Sequence, residues 1–475
     1  MIFKAETTAA SAHKPSLSVE PDDVRLHMGL GNASLLQGDV ANAAASYAHV
    51  VSLHPTHGEA RIKLAHVLKL NGDYTAAAAI LHALAVDHPN DPAVPKEFGR
   101  LYFMQHRLDD ALESFRRVIG LNPSDADAYH WLANIEHLKG HTEAAREHYR
   151  RTVALKPVTR LPARKTPPDF STLFLFSPGN ANTPPDTLVK AADYESRFLL
   201  LLSDTEYDAG SLRGDVQVMV NLISDGDQGR TILLAAEALI ARVDRPVVNH
   251  PRAILKTGRE STACLLSGIP FCQVPHVRRF SAEAVPDCIG ALNWPFPLLM
   301  RVVGTHGGES FEKLDDIASI NQFVSRHSGE DFYVTEYVDY KSADGFFRKY
   351  RFFFVGEDIL PYHLAIGDTW KLHHVTTDMV NQPWMQREEQ AFLNNPASVF
   401  YSQHFSALRS IQRAIGLDFF GIDCAIGPDG RLVVFEVNAS MLVHEDNGPF
   451  PYKAVAVHRI KSAFDTMLRR KANLA

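Results

Sequence analysis

The chain has 475 residues, 45% apolar and 22% charged, with a net charge of −7; this is ordinary globular composition, and the length predicts about three domains rather than one core. The acidic balance leaves no broad basic footprint for nucleic acid, and no run of about eighteen apolar residues is present to form a helical membrane span. Cys264, Cys272, Cys288 and Cys424 make no C-x-x-C pair, which fits reduced thiols and a cytoplasmic protein. The first 23 residues carry one early lysine but no continuous apolar stretch, so they are expected as a disordered leader rather than a signal peptide. The 23 histidines scatter along the chain without zinc-ligand spacing.

The next segment repeats. Pro55, Pro89, Pro123 and Pro157 recur every 34 residues, and three more columns share that period. Small residues stand at Gly31, Ala65, Gly99 and Ala133, and again at Ala43, Ala77, Ala111 and Ala145. Large ones stand at Tyr47, Leu81, Phe115 and Tyr149. Small residues let paired helices approach, large ones are expected to fill the gap between neighbouring units, and proline stops the second helix. This pattern resembles the tetratricopeptide family over 24–157, which implies an all-α solenoid of four repeats presenting a face to a protein partner or substrate. A rigid arm or a homodimer surface uses the same array.

Residues 158–170 are rich in proline and basic residues and read as an extended linker. From 171 to 275 short apolar runs alternate with helical stretches. Strands are expected at 173–176, 198–202, 216–223 and 246–249, and helices at 229–243 and 253–267, giving an α/β layer. From 276 to 475 the texture is α+β: a strand at 298–304 runs into a glycine loop, then come a helix at 314–327 and strands at 332–338, 350–355 and 359–366. A polar insertion at 367–390, a helix at 398–415, a hairpin and a helix at 455–470 complete the chain.

The hairpin carries the metal chemistry. Asp429-Gly430 favours a two-residue turn, which sets Pro428 opposite Arg431 and Asp423 opposite Glu436. Facing side chains have Cβ atoms about 5 Å apart, and Asn438 shares the face of Glu436 because strand side chains alternate. Two carboxylates and an amide oxygen suit Mg²⁺, which keeps part of its shell for water and phosphate. Without a cation the two carboxylates would repel each other.

The spacing D-x(12)-E-x-N on a terminal hairpin looks like the metal signature of the ATP-grasp superfamily, nearest its glutathione synthetase, D-alanine–D-alanine ligase and ribosomal-protein glutamate ligase branches. Segments 246–277, 295–314, 332–340 and 349–366 resemble, in order, the approach to the nucleotide domains, the phosphate strand with its glycine loop, the adenine strand and the strand pair that follows. The resemblance implies a carboxylate–amine ligase that releases ADP and phosphate through an acyl phosphate. Asp423, Glu436 and Asn438 would hold two Mg²⁺ ions, with Mn²⁺ as an alternative. Arg259 and Arg301 would grip ATP phosphates where most members have lysine, beneath Gly307 and Gly308. Glu336, Tyr337 and Val338 would seat adenine, and Arg351, with Arg301, would act on the reacting groups. A phosphotransferase and a non-catalytic nucleotide-binding scaffold fit the same fold. Trp370, Lys371, His373 and His374 in the polar insertion, with His444 and Tyr452, are candidates for lining a substrate pocket.

Overall fold

The computed structural model describes residues 24–474 except 37, 180, 228, 306–309, 373–376 and 445–446. The expected leader, the glycine loop with Gly307 and Gly308, and His373 and His374 therefore lie outside the described residues. Two compact units divide the chain after Thr159. No helix among the described residues is long and apolar enough to cross a membrane.

Among the described residues the first unit is eight helices in pairs: α1 (Val24–Leu36), α2 (Val40–Leu53), α3 (Gly58–Leu70), α4 (Tyr74–Asp87), α5 (Ala93–Met104), α6 (Leu108–Leu121), α7 (Ala126–Leu138) and α8 (Thr142–Leu155). Asp39 and Asp73 begin α2 and α4 by accepting from the backbone N–H three residues on, each at 3.0 Å, the standard way to satisfy an orphan donor. The large column does more than fill gaps between repeats. Its side chains first seat on the small residue of their own repeat: a Cβ on Gly31 would lie 2.5 Å from the Tyr47 ring, and one on Gly99 2.7 Å from that of Phe115. Phe115 also shares one buried cluster with Ala128, Leu132 and Ile135 of the next repeat, and its ring stacks on Trp131. Where the large residue is tyrosine, its hydroxyl donates to an asparagine of the first helix, Tyr47 to Asn32 and Tyr149 to Asn134, both at 2.7 Å.

This packing predicts opposite signs for two glycine substitutions. Gly99→Ala is expected to lower stability by about 1–3 kcal/mol, because Phe115 is fully buried and cannot retreat. Gly120→Ala, in the exposed part of α6 with nothing within 4 Å of the new Cβ, is expected to add about 0.5–1 kcal/mol. Thermal unfolding of the two variants checks both signs.

The described residues of the second unit form three sheets. The first has β2 (Ser171–Phe176), β3 (Glu195–Leu200), β4 (Val218–Asn221) and β5 (Val247–Val248), paired in parallel. Its central strand, STLFLF, is buried at almost every position, as a strand covered on both faces must be. Val158–Leu161, read in sequence as linker, is instead an edge strand, β1, beside β3. The expected helix at 253–267 is two short ones, Pro251–Ile254 and Arg259–Leu266.

The second sheet runs β7 (Val277–Phe280), β10 (Phe332–Glu336), β8 (Leu298–Val302), β9 (Phe311–Leu314). Ile320 and Phe323 from the helix Ile317–Arg326 pack under it on Met300, Phe332 and Val334. The third runs β12 (Asp358–Gly367), β11 (Phe347–Val355), β13 (Phe419–Ile426), β14 (Leu432–Asn438), β6 (Cys272–Gln273). Part of the polar insertion is regular after all, forming the helix Pro383–Asn394.

Asn249, at φ 58°, fastens the first sheet to the third. Its side chain donates to the Phe419 carbonyl at 2.6 Å and accepts from the N–H groups of Asp418 and Phe419. Asparagine tolerates the left-handed backbone that this junction needs.

The β13–β14 hairpin reaches the expected pairing by a different route. Its turn has three residues, Pro428 to Gly430: the Gly427 N–H donates to the Arg431 carbonyl at 2.9 Å, so Gly427 rather than Pro428 faces Arg431. Gly430 takes the left-handed position, φ 80°, as the third residue of such a loop does. A bulge then leaves Phe435 unpaired between Val434 and Glu436, and the one-residue offset is cancelled. Asp423 therefore stands opposite Glu436.

Candidate functional site

Three neighbouring strands place Arg351, Asp423 and Glu436 in one cross-strand row, β11 to β13 to β14. Asp423 is 4% exposed. Arg351 grips it with both arms, Nε donating to Oδ1 at 2.7 Å and Nη2 to Oδ2 at 3.0 Å. Lys349, two residues along β11 and hence on the same face, lies 3.2 Å from Oδ2. Burial pushes the Asp423 carboxyl up, but Lys349 and Arg351 outweigh it and hold the group well below the usual carboxylate range. Arg351 is correspondingly raised, Asp423 outweighing its burial.

Glu436 finds its cation at long range in sequence. Arg259, the first residue of its helix, donates from Nη2 to Oε1 at 2.8 Å. Burial raises the Glu436 carboxyl; Arg259, with Arg301 and Lys349, overcomes both burial and Asp423 and leaves it depressed. Arg301 completes the group from β8. Its Nη2 donates to the Thr305 carbonyl at 2.9 Å, its guanidinium lies 5.3 Å from the centre of the Phe311 ring, and its Nε is buried without a hydrogen-bond partner among the described residues. Burial first, then Arg259, lower Arg301 to about 10.

The repulsion expected between the facing carboxylates is thus answered by the chain's own cations. Among the described residues Arg259, Arg301, Lys349 and Arg351 surround Asp423 and Glu436, four positive groups against two negative and so an excess of two. Such a cluster attracts a polyanion. Among the described residues no group of three or more His, Cys, Asp or Glu side chains forms a cage for a metal ion. Magnesium rarely needs one, since it binds through one or two carboxylates and the phosphates of its substrate. The donor set therefore fits a metal–nucleotide complex better than a bare ion.

The remaining candidate residues lie around this cluster. Asn438 faces Gly421 across the hairpin, and its Oδ1 accepts from the Ser440 N–H at 2.7 Å. Glu336 ends β10 turned toward His276: its N–H donates to the His276 carbonyl at 2.8 Å, and its carboxylate accepts from the His276 backbone N–H at 3.4 Å. Tyr337 has Lys313 4.8 Å over its ring and meets Trp370 edge-on. Val338, Trp370 and Phe435 border one apolar cluster with Tyr340 and Leu372, and Phe435 adjoins Glu436 in the chain. Lys349 went unnoticed in the sequence, although two cations spaced two apart in a strand, as in Lys-Tyr-Arg, must share a face.

Tetratricopeptide repeat models match residues 34–94, 7–57 and 96–158, so this part of the chain consists of tetratricopeptide repeats. The curated proteins matched include protein O-mannosyl-transferase TMTC1 of Homo sapiens, 30% identical over 32% of this chain, and that of Mus musculus, 30% identical over 30%. The chain spans only 18% and 16% of those relatives. Among solved structures, a MamA protein aligns with 28% of this chain and 73% of its own at 26% identity and a TM-score of 0.25. The VanG D-Ala:D-Ser ligase of Enterococcus faecalis aligns with 64% of this chain and 98% of its own, at 12% identity and a TM-score of 0.40. An ATP-grasp RimK domain protein of Sphaerobacter thermophilus gives 64% and 98%, at 14% identity and 0.40.

Proposed function

We propose that residues 160–475 form an ATP-grasp ligase that activates a carboxylate with Mg-ATP and joins it to an amine, while the repeats hold a peptide or protein that carries one of the two. The observation that carries this reading is the facing pair Asp423 and Glu436 set among four cations, with the buried Nε of Arg301 lacking a partner among the described residues. A triphosphate supplies what that cluster lacks: negative charge for the excess cations and an acceptor for the orphaned N–H.

In this reading Arg301 donates to a phosphate oxygen through Nε, and Arg259 shares its guanidinium between Glu436 and the phosphates. Both are planar forks, suited to bidentate contact where a lysine would act as a point charge. Glu436 would hold magnesium with Asp423 and Asn438 beside it, and the ion would supply charge neutralisation to the phosphates. Arg351 and Lys349, anchored by Asp423, stand ready to stabilise charge on the acyl phosphate. The apolar border of Val338, Trp370 and Phe435 offers a slot for the purine, with the backbone of Tyr337 and Val338 left to bond its edge, since the N–H of Glu336 already donates to His276.

A second reading, a scaffold that binds nucleotide without turning it over, is favoured by one observation: both oxygens of Asp423 are occupied by Arg351 and Lys349. Thermal unfolding separates the readings when combined with ADP release. Mg-ATP at a hundredfold above its Kd is expected to raise the midpoint by roughly 5 °C, and by more than ATP with EDTA. In Glu436→Ala the two nucleotide forms should act alike, because the carboxylate that distinguishes them is gone. No shift in the unaltered protein at millimolar Mg-ATP rules out both readings; a shift without ADP release under any acid–amine pair supports the scaffold.

A further inference from the structure

The row Glu436, Asp423, Arg351 continues onto a fourth strand, where His363 of β12 faces Arg351. Its Nδ1 lies 2.5 Å from Oε1 of Glu389, a carboxylate with no exposed surface on the helix Pro383–Asn394. The same Oε1 accepts from the Leu364 N–H at 3.1 Å and lies 3.3 Å from Lys453 Nζ, while Oε2 accepts from the Tyr452 hydroxyl at 2.6 Å. Each oxygen of Glu389 is thus engaged. On the other side of the imidazole, Nε2 is buried and has no hydrogen-bond partner among the described residues.

The tautomer follows from these contacts. Burial pushes the Glu389 carboxyl up, but His363, Lys453 and Tyr452 together bring it down, so it is ionised and can only accept. Nδ1 must then carry the proton. A bare Nδ1 accepting from Lys453 Nζ, 3.0 Å away, would turn its lone pair against a carboxylate oxygen at 2.5 Å, so Lys453 serves Glu389 instead. Nε2 is left as an unprotonated lone pair. The groups around the ring keep it neutral: burial, then Lys453 and Arg351, outweigh Glu389 and lower its pKa. His444 is lowered by burial and the same two cations, and Tyr362, whose hydroxyl accepts from the His444 N–H at 2.8 Å, is raised by burial. The His363 side chain is 15% exposed, and its Nε2 is buried.

We infer that His363 is the proton acceptor for the attacking amine, with Glu389 as the residue that fixes its tautomer. This rests on the ligase reading above. Strands stand about 4.8 Å apart, so His363 occupies the end of the row opposite Glu436, with Arg351 between. The nucleotide would lie over the carboxylates, the activated acyl group near Arg351, and the amine beyond it. An ammonium R–NH3⁺ gives one proton to Nε2, and its nitrogen pair attacks the acyl carbon. The C–N bond forms, the C–O bond to phosphate breaks, and phosphate leaves with that electron pair and takes the second proton, leaving the amide. A buried lone pair with no donor is costly, and an N–H of the amine satisfies it.

Two measurements test this. The first uses Mg-ATP with a pool of the protein amino acids as acids and amines, and then the same pool with hydroxylamine, which is largely unprotonated at neutral pH and needs no base. His363→Gln is expected to form hydroxamate as fast as the unaltered enzyme but amide about 100-fold more slowly, and to lose the acid-side fall in the amide pH profile. Equal loss of both products, or of neither, overturns the role. The second reads the imidazole nitrogens by NMR in the unaltered full chain, labelled in histidine. A protonated Nδ1 with a bare Nε2 near neutral pH is expected, and the reverse tautomer overturns the proposal whatever the variant does. If the unaltered enzyme makes no hydroxamate while the tautomer is as expected, it is the ligase reading that fails, and the catalytic role falls with it.

Discussion

Asp423→Ala is expected to cost about 3–5 kcal/mol of stability, the penalty for leaving buried charge without its partner. Two cations lose their anchor at once: Arg351, held by two hydrogen bonds, and Lys349. With Asp423 gone, four cations would face Glu436 alone, so repulsion adds to the lost contacts. Asp423→Asn should fall in between, since its amide oxygen still accepts. Replacing both ends of the buried pair, as in Asp423→Leu with Arg351→Met, should recover part of the loss, because it removes the unpaired charge rather than stranding it. The pH dependence has a definite sign. The folded carboxyl is depressed from an ordinary value of 3.8, so its contribution is present above that pH and is lost as acid takes the solution down through the folded value. The gap between Asp423→Ala and the unaltered protein, measured by urea unfolding, should therefore be constant from pH 5 to 8 and narrow below about pH 4. A gap under about 1 kcal/mol at pH 7 would mean that the cluster is solvated like a surface pair, and the polyanion site built on it would go too.

What the sequence could reveal of this site depended on distance along the chain. The pairing of Asp423 with Glu436 is local, and binary alternation plus a turn signal were enough to place them face to face. Even there the detail differed, because the loop is one residue longer and the bulge at Phe435 restores the register. A turn dipeptide specifies a reversal more firmly than it specifies its length. Lys349 was legible from alternation with Arg351, yet only the position of β13 shows that both reach Asp423. The bond from Arg259 to Glu436 crosses 177 residues, and Glu389 meets His363 only because a helix in the polar insertion folds back over β12. No periodicity within either segment records such meetings. The repeats are the opposite case: each contacts its neighbours, so a 34-residue period carries most of their structure. The same period misjudged one thing, since it could not say that Tyr47 and Phe115 seat first on the glycine of their own repeat.

The repeats also contain the second large effect. Lys69 and Glu97 pair between α3 and α5 with 2% and 6% of their side chains exposed, and Arg100 donates to the other oxygen of Glu97 at 2.6 Å. Burial lowers Lys69 from its ordinary value, against the pull of Glu97; burial raises Glu97, but His66, Lys69 and Arg100 hold it far below the carboxylate range. Glu97→Ala should strand the ammonium and cost about 3–5 kcal/mol, a fall in midpoint of roughly 10 °C for a unit of this size. One repeat further on, 34 residues along, the equivalent positions are Phe103 and Trp131, whose rings meet edge-on at 5.0 Å. The chain itself thus fills the same junction once with an ion pair and once with two aromatic rings. If the junctions are equivalent, Lys69→Phe with Glu97→Trp should recover most of what Glu97→Ala loses, since the apolar pair brings burial and ring contact with no charge to desolvate. Thermal unfolding of the two variants beside the unaltered chain decides it. A double variant as unstable as the single one would mean that Arg100 and His66, which keep their places around Glu97, need its carboxylate as much as Lys69 does. The ion pair would then be one edge of a four-residue network rather than a substitute for packing.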